Sequence, residues 1–214
     1  MTYLITQRGL YAGPAPIVSK DLYAEVIRGS AIRDRDSVRL GPGTLVSGNT
    51  YFGRFPASYW QRWTTVTEVS VEAVVTGTGL LSMGASDVEG EPRVVAAEQV
   101  ADAKQAKVTL TAKLDKFYDG GALWLDLETE GGQTLRVEQV RWTVEAPEKI
   151  RPTAVTICTM NRADDCLKNL QALAADVSSL ETLDAIYVAD QGTDLVESRD
   201  GFEQVAKDLA DKLH

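Results

Sequence analysis

The chain has 214 residues, with 22 lysines and arginines against 31 aspartates and glutamates, which gives a formal net charge of −9. Nucleic acids and anionic membranes attract basic faces, so this acidic balance argues against both as partners. A hydrophobic fraction of 44% is typical of globular proteins. No run approaches the roughly 18 apolar residues of a membrane span, and the N-terminus lacks the apolar core of a signal peptide. We therefore expect a cytoplasmic protein of one large domain or two modest ones.

Cysteine and histidine are too scarce for several kinds of site. Cys158 and Cys166 are the only cysteines, and the only histidine is His214, the last residue. A disulfide scaffold or a structural zinc site needs more ligands than these. A nucleophile activated by histidine has no partner in the interior of the chain. The two cysteines are therefore interpreted as ordinary packing or helix-surface residues.

Residues 1–146 have the pattern of an antiparallel all-β domain, a sandwich or a jelly-roll-like barrel. Apolar and polar residues alternate, as in strands with one buried face, in the segments 69–75, 108–114 and 123–128. A further strand is expected within 133–144, with a change of register near Gln139. Glycine- and aspartate-rich segments predict turns at 76–79, 87–92, 118–121 and 130–133. The first fifty residues are less regular, with strands expected at 37–40 and 44–52.

The pattern changes near residue 150. A charged, proline-flanked connector is expected at 147–152, and residues 153–214 then follow a β-α-β-α order. Two continuous apolar runs, 153–159 and 183–190, are typical of parallel strands buried on both faces. Two strands do not complete a parallel sheet, so we expect this domain to be the truncated start of a larger α/β fold.

Polar residues follow both of these strands, where ligands of an open α/β sheet bind. Thr159, Asn161 and Arg162 lie at the start of the first helix, where a helix N-terminus and an arginine favour an anion. Asp190 and Gln191 end the second strand and offer hydrogen bonds to a ribose and a base edge. Together they predict half of a nucleotide site.

Structural explanations of the same residues remain open. Asn161 could serve only as a helix N-cap, and Arg162 could pair with Asp164 or Asp165 on its own helix. Asp190 could simply begin a turn. The chain contains neither G-x-G-x-x-G nor G-x-x-x-x-G-K-[S/T], so a dinucleotide fingerprint and a P-loop are both absent from the sequence.

Four segments together resemble one known family. The runs TAVTICTMNRADDCLKNLQALAAD and LDAIYVADQGTDLVESR resemble the start of a nucleotide-sugar glycosyltransferase of the GT-A (Rossmann-like) class. More closely, they are similar to the galactofuranosyltransferases that polymerise actinobacterial cell-wall galactan. Upstream, YFGRFPASYWQRWTTV and FYDGGALWLDLET resemble the N-terminal β-domain of that family. The resemblance runs from about Leu22 to the C-terminus, across both predicted domains.

The resemblance implies an inverting, metal-dependent transferase with two substrates. The donor would be UDP-galactofuranose, the acceptor a lipid-linked growing galactan, and the metal Mn²⁺ or Mg²⁺ bound to the diphosphate. By resemblance, the family's uridine-diphosphate contacts fall on Thr159, Asn161, Arg162, Asp190 and Gln191. A cytoplasmic homo-oligomer is also expected. If it is a peripheral membrane protein, it would lie at the inner face of the plasma membrane.

The chain also departs from the family pattern. The acidic metal motif, the catalytic base and a metal-binding histidine would lie beyond its last residue, so no catalytic or metal-ligating residue is assigned here. Asp34 and Asp36 have the letters of an Asp-x-Asp motif but fall in a loop of the β half, and Asp164 and Asp165 begin a helix. We therefore expect the 214-residue chain to be inactive by itself.

Exposed aromatic residues in the β half give a competing hypothesis. Trp60, Trp63 and Trp124 are candidates for stacking on sugar rings, as in a non-catalytic carbohydrate-binding or assembly module. Alternatively, large aromatic side chains such as Trp60 and Trp63 close the end of the barrel or pack at a domain interface, which is their commoner role.

Overall fold

The computed structural model describes residues 3–13, 18–88, 90–146, 153–176, 180 and 183–213. The chain divides into two compact units, residues 1–146 and 147–214. The expected connector at 147–152 lies outside the described residues. Among the described helices, none has both the length and the apolar character that crossing a bilayer requires.

The first unit is a mostly antiparallel β-structure. Within its described residues, nine strands form one continuous sheet: β1 (Tyr3–Arg8), β2 (Glu25–Arg28), β3 (Ala31–Arg33), β4 (Ser37–Leu40), β5 (Leu45–Ser47), β6 (Glu68–Asp87), β7 (Arg93–Lys113), β8 (Gly121–Glu128) and β9 (Leu135–Glu145). A short helix, α1 (Ala57–Trp63), and a 3₁₀ turn at Lys20–Leu22 complete the described elements of this unit. The predicted antiparallel β class is therefore confirmed.

Strand β6 connects the two layers into which this sheet folds, one with β9, β4, β3 and β1 and the other with β8, β5 and β2. Its first half, 70–77, pairs with β9, whereas its second half, 80–87, pairs with β8. Along its other edge β6 pairs with β7, with register shifts between Val75 and Gly79. Such bulges bend a strand, which lets one strand pass from one packed sheet to the next. The turn predicted at 76–79 is therefore wrong, because this glycine-rich segment is a bend within one strand.

The other predicted turns of the β half follow the sequence pattern more closely, whereas the strand expected at 44–52 is wrong beyond residue 47, since β5 ends at Ser47 and a turn follows. The connections predicted at 87–92, 118–121 and 130–133 join β6 to β7, β7 to β8 and β8 to β9. The register change predicted near Gln139 is also confirmed. Gln139 has a positive φ of 55°, and the pairing of β9 with β6 shifts between Glu72 and Val74.

The core of the first unit lies between its two layers. Its largest fully buried side chains include Trp142, Phe55, Leu81, Met83, Leu114, Leu123, Leu127 and Leu135. The Phe55 ring stacks on Trp142 with centroids 5.0 Å apart and on Trp60 at 5.9 Å. Because Ala57 is also buried, α1 is anchored to the core through Phe55, Ala57 and Trp60.

The second unit has the predicted β-α-β-α order. Its described elements are β10 (Ala154–Thr159), α2 (Ala163–Ala175), β11 (Ala185–Asp190), a 3₁₀ turn at Val196–Ser198 and α3 (Phe202–Ala210). The strands β10 and β11 pair in parallel. Burial alternates along both strands, since α2 and α3 pack on the face that carries Val155, Ile157 and Val188. The expectation that both faces are buried is therefore wrong for the described residues, and Tyr187 on the other face is exposed.

Candidate functional site

The carboxyl ends of β10 and β11 bring the five predicted nucleotide-site residues into one short region. Thr159 and Asp190 are paired in register at the last position of each strand. The backbone N–H of Gln191 donates to the carbonyl oxygen of Thr159 at 3.0 Å, which extends the pairing by one residue. Thr159 and Asp190 are half-buried, whereas Asn161, Arg162 and Gln191 are exposed.

Asn161 joins the two loops that follow these strands. Its Oδ1 accepts hydrogen bonds from the backbone N–H groups of Thr193 at 2.9 Å and Asp194 at 3.2 Å. Its backbone is left-handed, with φ at 53°, a conformation that asparagine tolerates better than most residues. The N-cap of α2 is Arg162, whose side chain makes no capping bond. The predicted capping role of Asn161 is therefore wrong, and its side chain holds the loop after β11 instead.

The Asp190 carboxylate accepts hydrogen bonds from the loop that follows β11. Its Oδ2 accepts the backbone N–H of Val196 at 2.7 Å, and its Oδ1 accepts that of Gly192 at 3.4 Å. The turn before Gly192 that the sequence allowed is thus present. Each carboxylate oxygen has more than one lone pair, so these bonds leave acceptor capacity on Asp190.

Arg199 is a residue of this region that the sequence analysis missed. Its Nε donates to Asp164 Oδ1 and its Nη2 to Asp194 Oδ2, both at 2.7 Å. These two carboxylates raise the pKa of the Arg199 guanidinium, so it remains charged. The pairing of Arg162 with Asp164 is not observed. No hydrogen bond or ion pair links the Arg162 side chain to another described residue.

The side chains that make no hydrogen bond to another described residue determine which ligands this region can bind. Arg162 presents a free guanidinium at the N-terminal end of the 13-residue helix α2, where a helix dipole also favours anions. The exposed amide of Gln191 offers both donors and an acceptor. Cys166 lies below the same edge, where burial and then the charge of Asp190 raise the pKa of its thiol. The region therefore favours anion binding over nucleophilic chemistry.

The described residues do not contain the ligands of a metal centre. No group of three or more His, Cys, Asp or Glu side chains in that part of the chain is placed to hold an ion. Asp34 and Asp36 lie exposed in the turn between β3 and β4, and the Asp34 carboxylate lies 4.0 Å from the Arg39 guanidinium. A divalent metal therefore does not fit the residues described here.

Two of the three candidate sugar-binding tryptophans are packing residues. Trp124 is only 3% exposed, and its Nε1 donates to Asp126 Oδ2 at 2.9 Å. Burial raises the pKa of the Asp126 carboxyl, although the bonds from Ser47, Trp124 and the Gly48 backbone oppose that shift. Trp60 is half-buried in its stack on Phe55. The sugar-stacking prediction is therefore wrong for Trp124, because no face of its ring reaches solvent.

Trp63 is the candidate that does reach solvent, at 70% exposed. The guanidinium of Arg62 lies 5.6 Å from its ring centroid and 5.5 Å from that of Tyr118. One cation thus lies against two exposed aromatic rings, an arrangement that stabilises this surface by itself.

A second aromatic group lies where the sequence analysis did not predict it. The rings of Tyr23, Tyr51 and Phe52 line an open cleft of about 720 Å³, together with Arg8 and Arg54. These residues come from β1, from the segment after the first 3₁₀ turn and from the segment after β5. Because these residues are far apart in the sequence, the cluster could not be predicted from it. Only the pair Tyr51-Phe52 lies in a segment, YFGRFPASYWQRWTTV, for which the sequence showed a family resemblance.

Comparison with known proteins identifies the family to which the chain belongs. The galactofuranosyltransferase 2 N-terminal family matches residues 17–145. Galactofuranosyltransferase GlfT2 of Mycolicibacterium smegmatis is 36% identical over 182 residues, which are 84% of this chain and 28% of that protein. Galactofuranosyltransferase GlfT2 of Mycobacterium tuberculosis is 33% identical over 204 residues, 92% of this chain and 32% of that protein. The chain thus spans about a third of the length of these relatives.

Solved structures resemble the chain only distantly. An arabinose-bound α-L-arabinofuranosidase matches 67% of this chain and 27% of its own at 12% identity, with a TM-score of 0.41. A xylan-binding domain from Paenibacillus barcinonensis matches 58% of this chain and 81% of its own at 18% identity, with a TM-score of 0.34. The sequence matches are decisive, and the chain belongs to the galactofuranosyltransferase 2 N-terminal family.

Proposed function

We propose that this chain is the N-terminal part of a glycosyltransferase that transfers galactofuranose from UDP-galactofuranose to a growing cell-wall galactan. The observation that carries the proposal is its membership of the galactofuranosyltransferase 2 N-terminal family, together with 33–36% identity to two galactofuranosyltransferases. The β-α-β-α order of the second unit is the order with which a GT-A domain begins. We assign residues 153–214 to that domain and residues 1–146 to the family's β-domain, with 147–152 between them.

In this proposal the edge formed by Thr159, Asn161, Arg162, Asp190 and Gln191 holds part of the uridine diphosphate. Arg162 contributes a charge-assisted bond to the diphosphate or uracil side, since its guanidinium is exposed and unengaged. Gln191 and Asp190 contribute hydrogen bonds to the uridine. Asn161 acts indirectly, because its bonds to Thr193 and Asp194 hold the loop that carries Gln191.

The reaction itself is assigned to residues outside this chain. Inverting transfer requires a carboxylate base that takes the proton of the acceptor hydroxyl as the hydroxyl attacks the anomeric carbon. A divalent metal, Mn²⁺ or Mg²⁺, would neutralise charge on the departing diphosphate. The described residues do not fit that metal, so no step is assigned to it here. A homo-oligomer at the inner face of the plasma membrane belongs to the same proposal.

Titration of the chain with UDP by isothermal calorimetry tests the nucleotide edge. We expect Arg162→Ala to weaken UDP binding about ten- to a hundredfold, the loss of one charge-assisted hydrogen bond of about 1.5–3 kcal/mol. Lys168→Ala is the matched control, because it removes an exposed cation from the same helix α2 two turns further on. Equal effects of the two variants would contradict the assignment of Arg162.

Transfer by the native full-length polypeptide tests the activity. We expect it to move galactofuranose from UDP-galactofuranose to a galactofuranosyl acceptor, and the Arg162→Ala variant to raise the KM for the donor. A full-length protein that binds galactofuranosyl chains but neither binds UDP nor transfers the sugar would favour the competing hypothesis of a non-catalytic carbohydrate-binding or assembly module.

A further inference from the structure

The cleft of Tyr23, Tyr51, Phe52, Arg8 and Arg54, called here the aromatic cleft, presents flat rings to solvent. Tyr23 and Phe52 stack with centroids 4.6 Å apart, and Tyr51 meets Phe52 edge-on at 4.8 Å. Tyr51 is 80% exposed and Phe52 is 44% exposed. Exposed rings gathered at a concave site mark a binding surface more often than scattered single side chains do.

Hydrogen bonds fix the segment that carries these rings. The Gln7 amide donates to the backbone oxygens of Phe52 at 3.4 Å and Arg54 at 3.2 Å. The backbone N–H of Phe52 donates to the oxygen of Leu22 at 2.8 Å. The Arg54 Nε donates to Asn49 Oδ1 at 2.7 Å. The backbone that carries Phe52 and Arg54 is therefore held in place before any ligand arrives, which lowers the entropic cost of binding.

The polar groups of the cleft limit what it can hold. None of the described residues that line it is acidic, although the chain carries a net charge of −9. No hydrogen bond or ion pair links the Arg8 guanidinium to another described residue. An apolar protein face would bury the Arg8 guanidinium without a partner and would leave the Arg54 guanidinium only its bond to Asn49, which is costly. Sugar rings place C–H groups on aromatic faces and hydroxyl oxygens within reach of guanidinium donors, so they satisfy both kinds of group.

We infer that the aromatic cleft binds a neutral oligosaccharide, with Tyr51 and Phe52 stacking on sugar rings and Arg8 and Arg54 donating to hydroxyls. The identity of this oligosaccharide rests on the proposed function. If the protein is a galactofuranosyltransferase, the ligand is its galactofuranosyl acceptor. The cleft then holds part of the acceptor chain on the β-domain, at residues other than those assigned to UDP. It differs from the tryptophan sites that the sequence suggested.

Calorimetric titration of the chain with a synthetic galactofuranosyl hexasaccharide tests the inference. We expect Tyr51→Ala to weaken binding about five- to tenfold, since an aromatic stacking contact is worth about 1 kcal/mol. Tyr51 is almost wholly exposed, so its truncation leaves the core intact. Tyr3→Ala is the matched control, because Tyr3 is also exposed but lies at the opposite end of β1 from Arg8.

Three results would overturn the inference: no binding of the hexasaccharide, equal affinity of wild type and Tyr51→Ala, or displacement of the sugar by inorganic phosphate, which would identify an anion site. The outcome is separable from that of the proposed function. Hexasaccharide binding that depends on Tyr51 in a full-length protein that binds no UDP supports the cleft and contradicts the transferase. UDP binding that depends on Arg162, without any hexasaccharide binding, supports the transferase and contradicts the inference about the cleft.

Discussion

Asn161 shows how one residue can have both a structural and a functional interpretation. A helix cap and a nucleotide contact were the two roles that the sequence suggested. In the structure its Oδ1 accepts hydrogen bonds from two backbone N–H groups of the loop after β11. Its left-handed backbone, with φ at 53°, adds a second requirement at the same position. Substitutions at Asn161 therefore act first on the geometry of the loops.

We expect Asn161→Ala to lower the free energy of unfolding of the second unit by about 2–3 kcal/mol, because two donors lose their acceptor and alanine is strained at this φ. Asn161→Asp keeps an acceptor oxygen and tolerates the left-handed conformation, so it should remain close to wild type. Thermal unfolding, with amide exchange at Thr193 and Asp194 as the local measurement, checks both expectations. Similar losses for the alanine and aspartate variants would argue against the hydrogen-bond explanation.

At the scale of elements, β6 accounts for the architecture of the first unit. One strand of 20 residues pairs with β9 and then with β8, so the bend between its halves joins the two layers. Gly77 lies at that bend with φ at 108°. The carbonyl oxygen of Thr134 occupies the space that a Cβ at Gly77 would need. Both the backbone angle and the close approach of a neighbouring strand therefore require glycine.

We expect Gly77→Ala to destabilise the first unit by about 3 kcal/mol or more, since strain at positive φ adds to a clash with main chain that cannot move alone. Gly132 is the matched control. It also has a positive φ, 83°, but nothing lies within 4 Å of the position that its Cβ would take. Gly132→Ala should cost only about 1 kcal/mol. Chemical denaturation of both variants measures the difference, and equal losses would contradict a role for the contact with Thr134.

Sequence patterns are sufficient to predict some elements of secondary structure and not others. Alternation identified the strands around Val71 and Leu125, because apolar side chains that face the core recur at every second position of each strand. The glycines at 77 and 79 were assigned to a turn, since glycine marks turns and bulges equally and only strand pairing distinguishes them. Likewise Arg199 bonds Asp164 across 35 positions, a distance over which periodicity carries no information.

Likewise, one of the two candidate sites could be predicted from the sequence and the other could not. Thr159 and Asp190 could be predicted to meet, because the carboxyl ends of parallel strands lie at one edge of a sheet. The aromatic cleft could not, since Arg8, Tyr23 and Phe52 come from separate parts of the chain that only the fold brings together. Trp124 was misjudged because alternation placed it opposite Leu123 and Leu125 but did not show that its own face is covered as well.

At the scale of the whole molecule, the two units differ in how well their strands are protected. The residues at 70–77 in β6 have hydrogen-bonded neighbours on both sides, β7 and β9, and alternate side chains lie in the core. Among the described residues, β10 pairs with β11 alone. Helices α2 and α3 pack on one face of that pair, and Tyr187 on the other face is exposed.

We expect this difference to appear in hydrogen exchange under native conditions, because amides exchange through local openings whose cost depends on buried contacts and neighbouring strands. Peptides covering β10 and β11 should exchange at least about tenfold faster than peptides covering 70–77, a gap of about 1.4 kcal/mol or more in opening free energy. Strand β8, which has β5 and β6 as neighbours, serves as the internal control and should exchange as slowly as β6. Equal protection of β10 and β6 in a monomer would contradict the expectation, and would mean that the open face of the parallel pair is covered in solution.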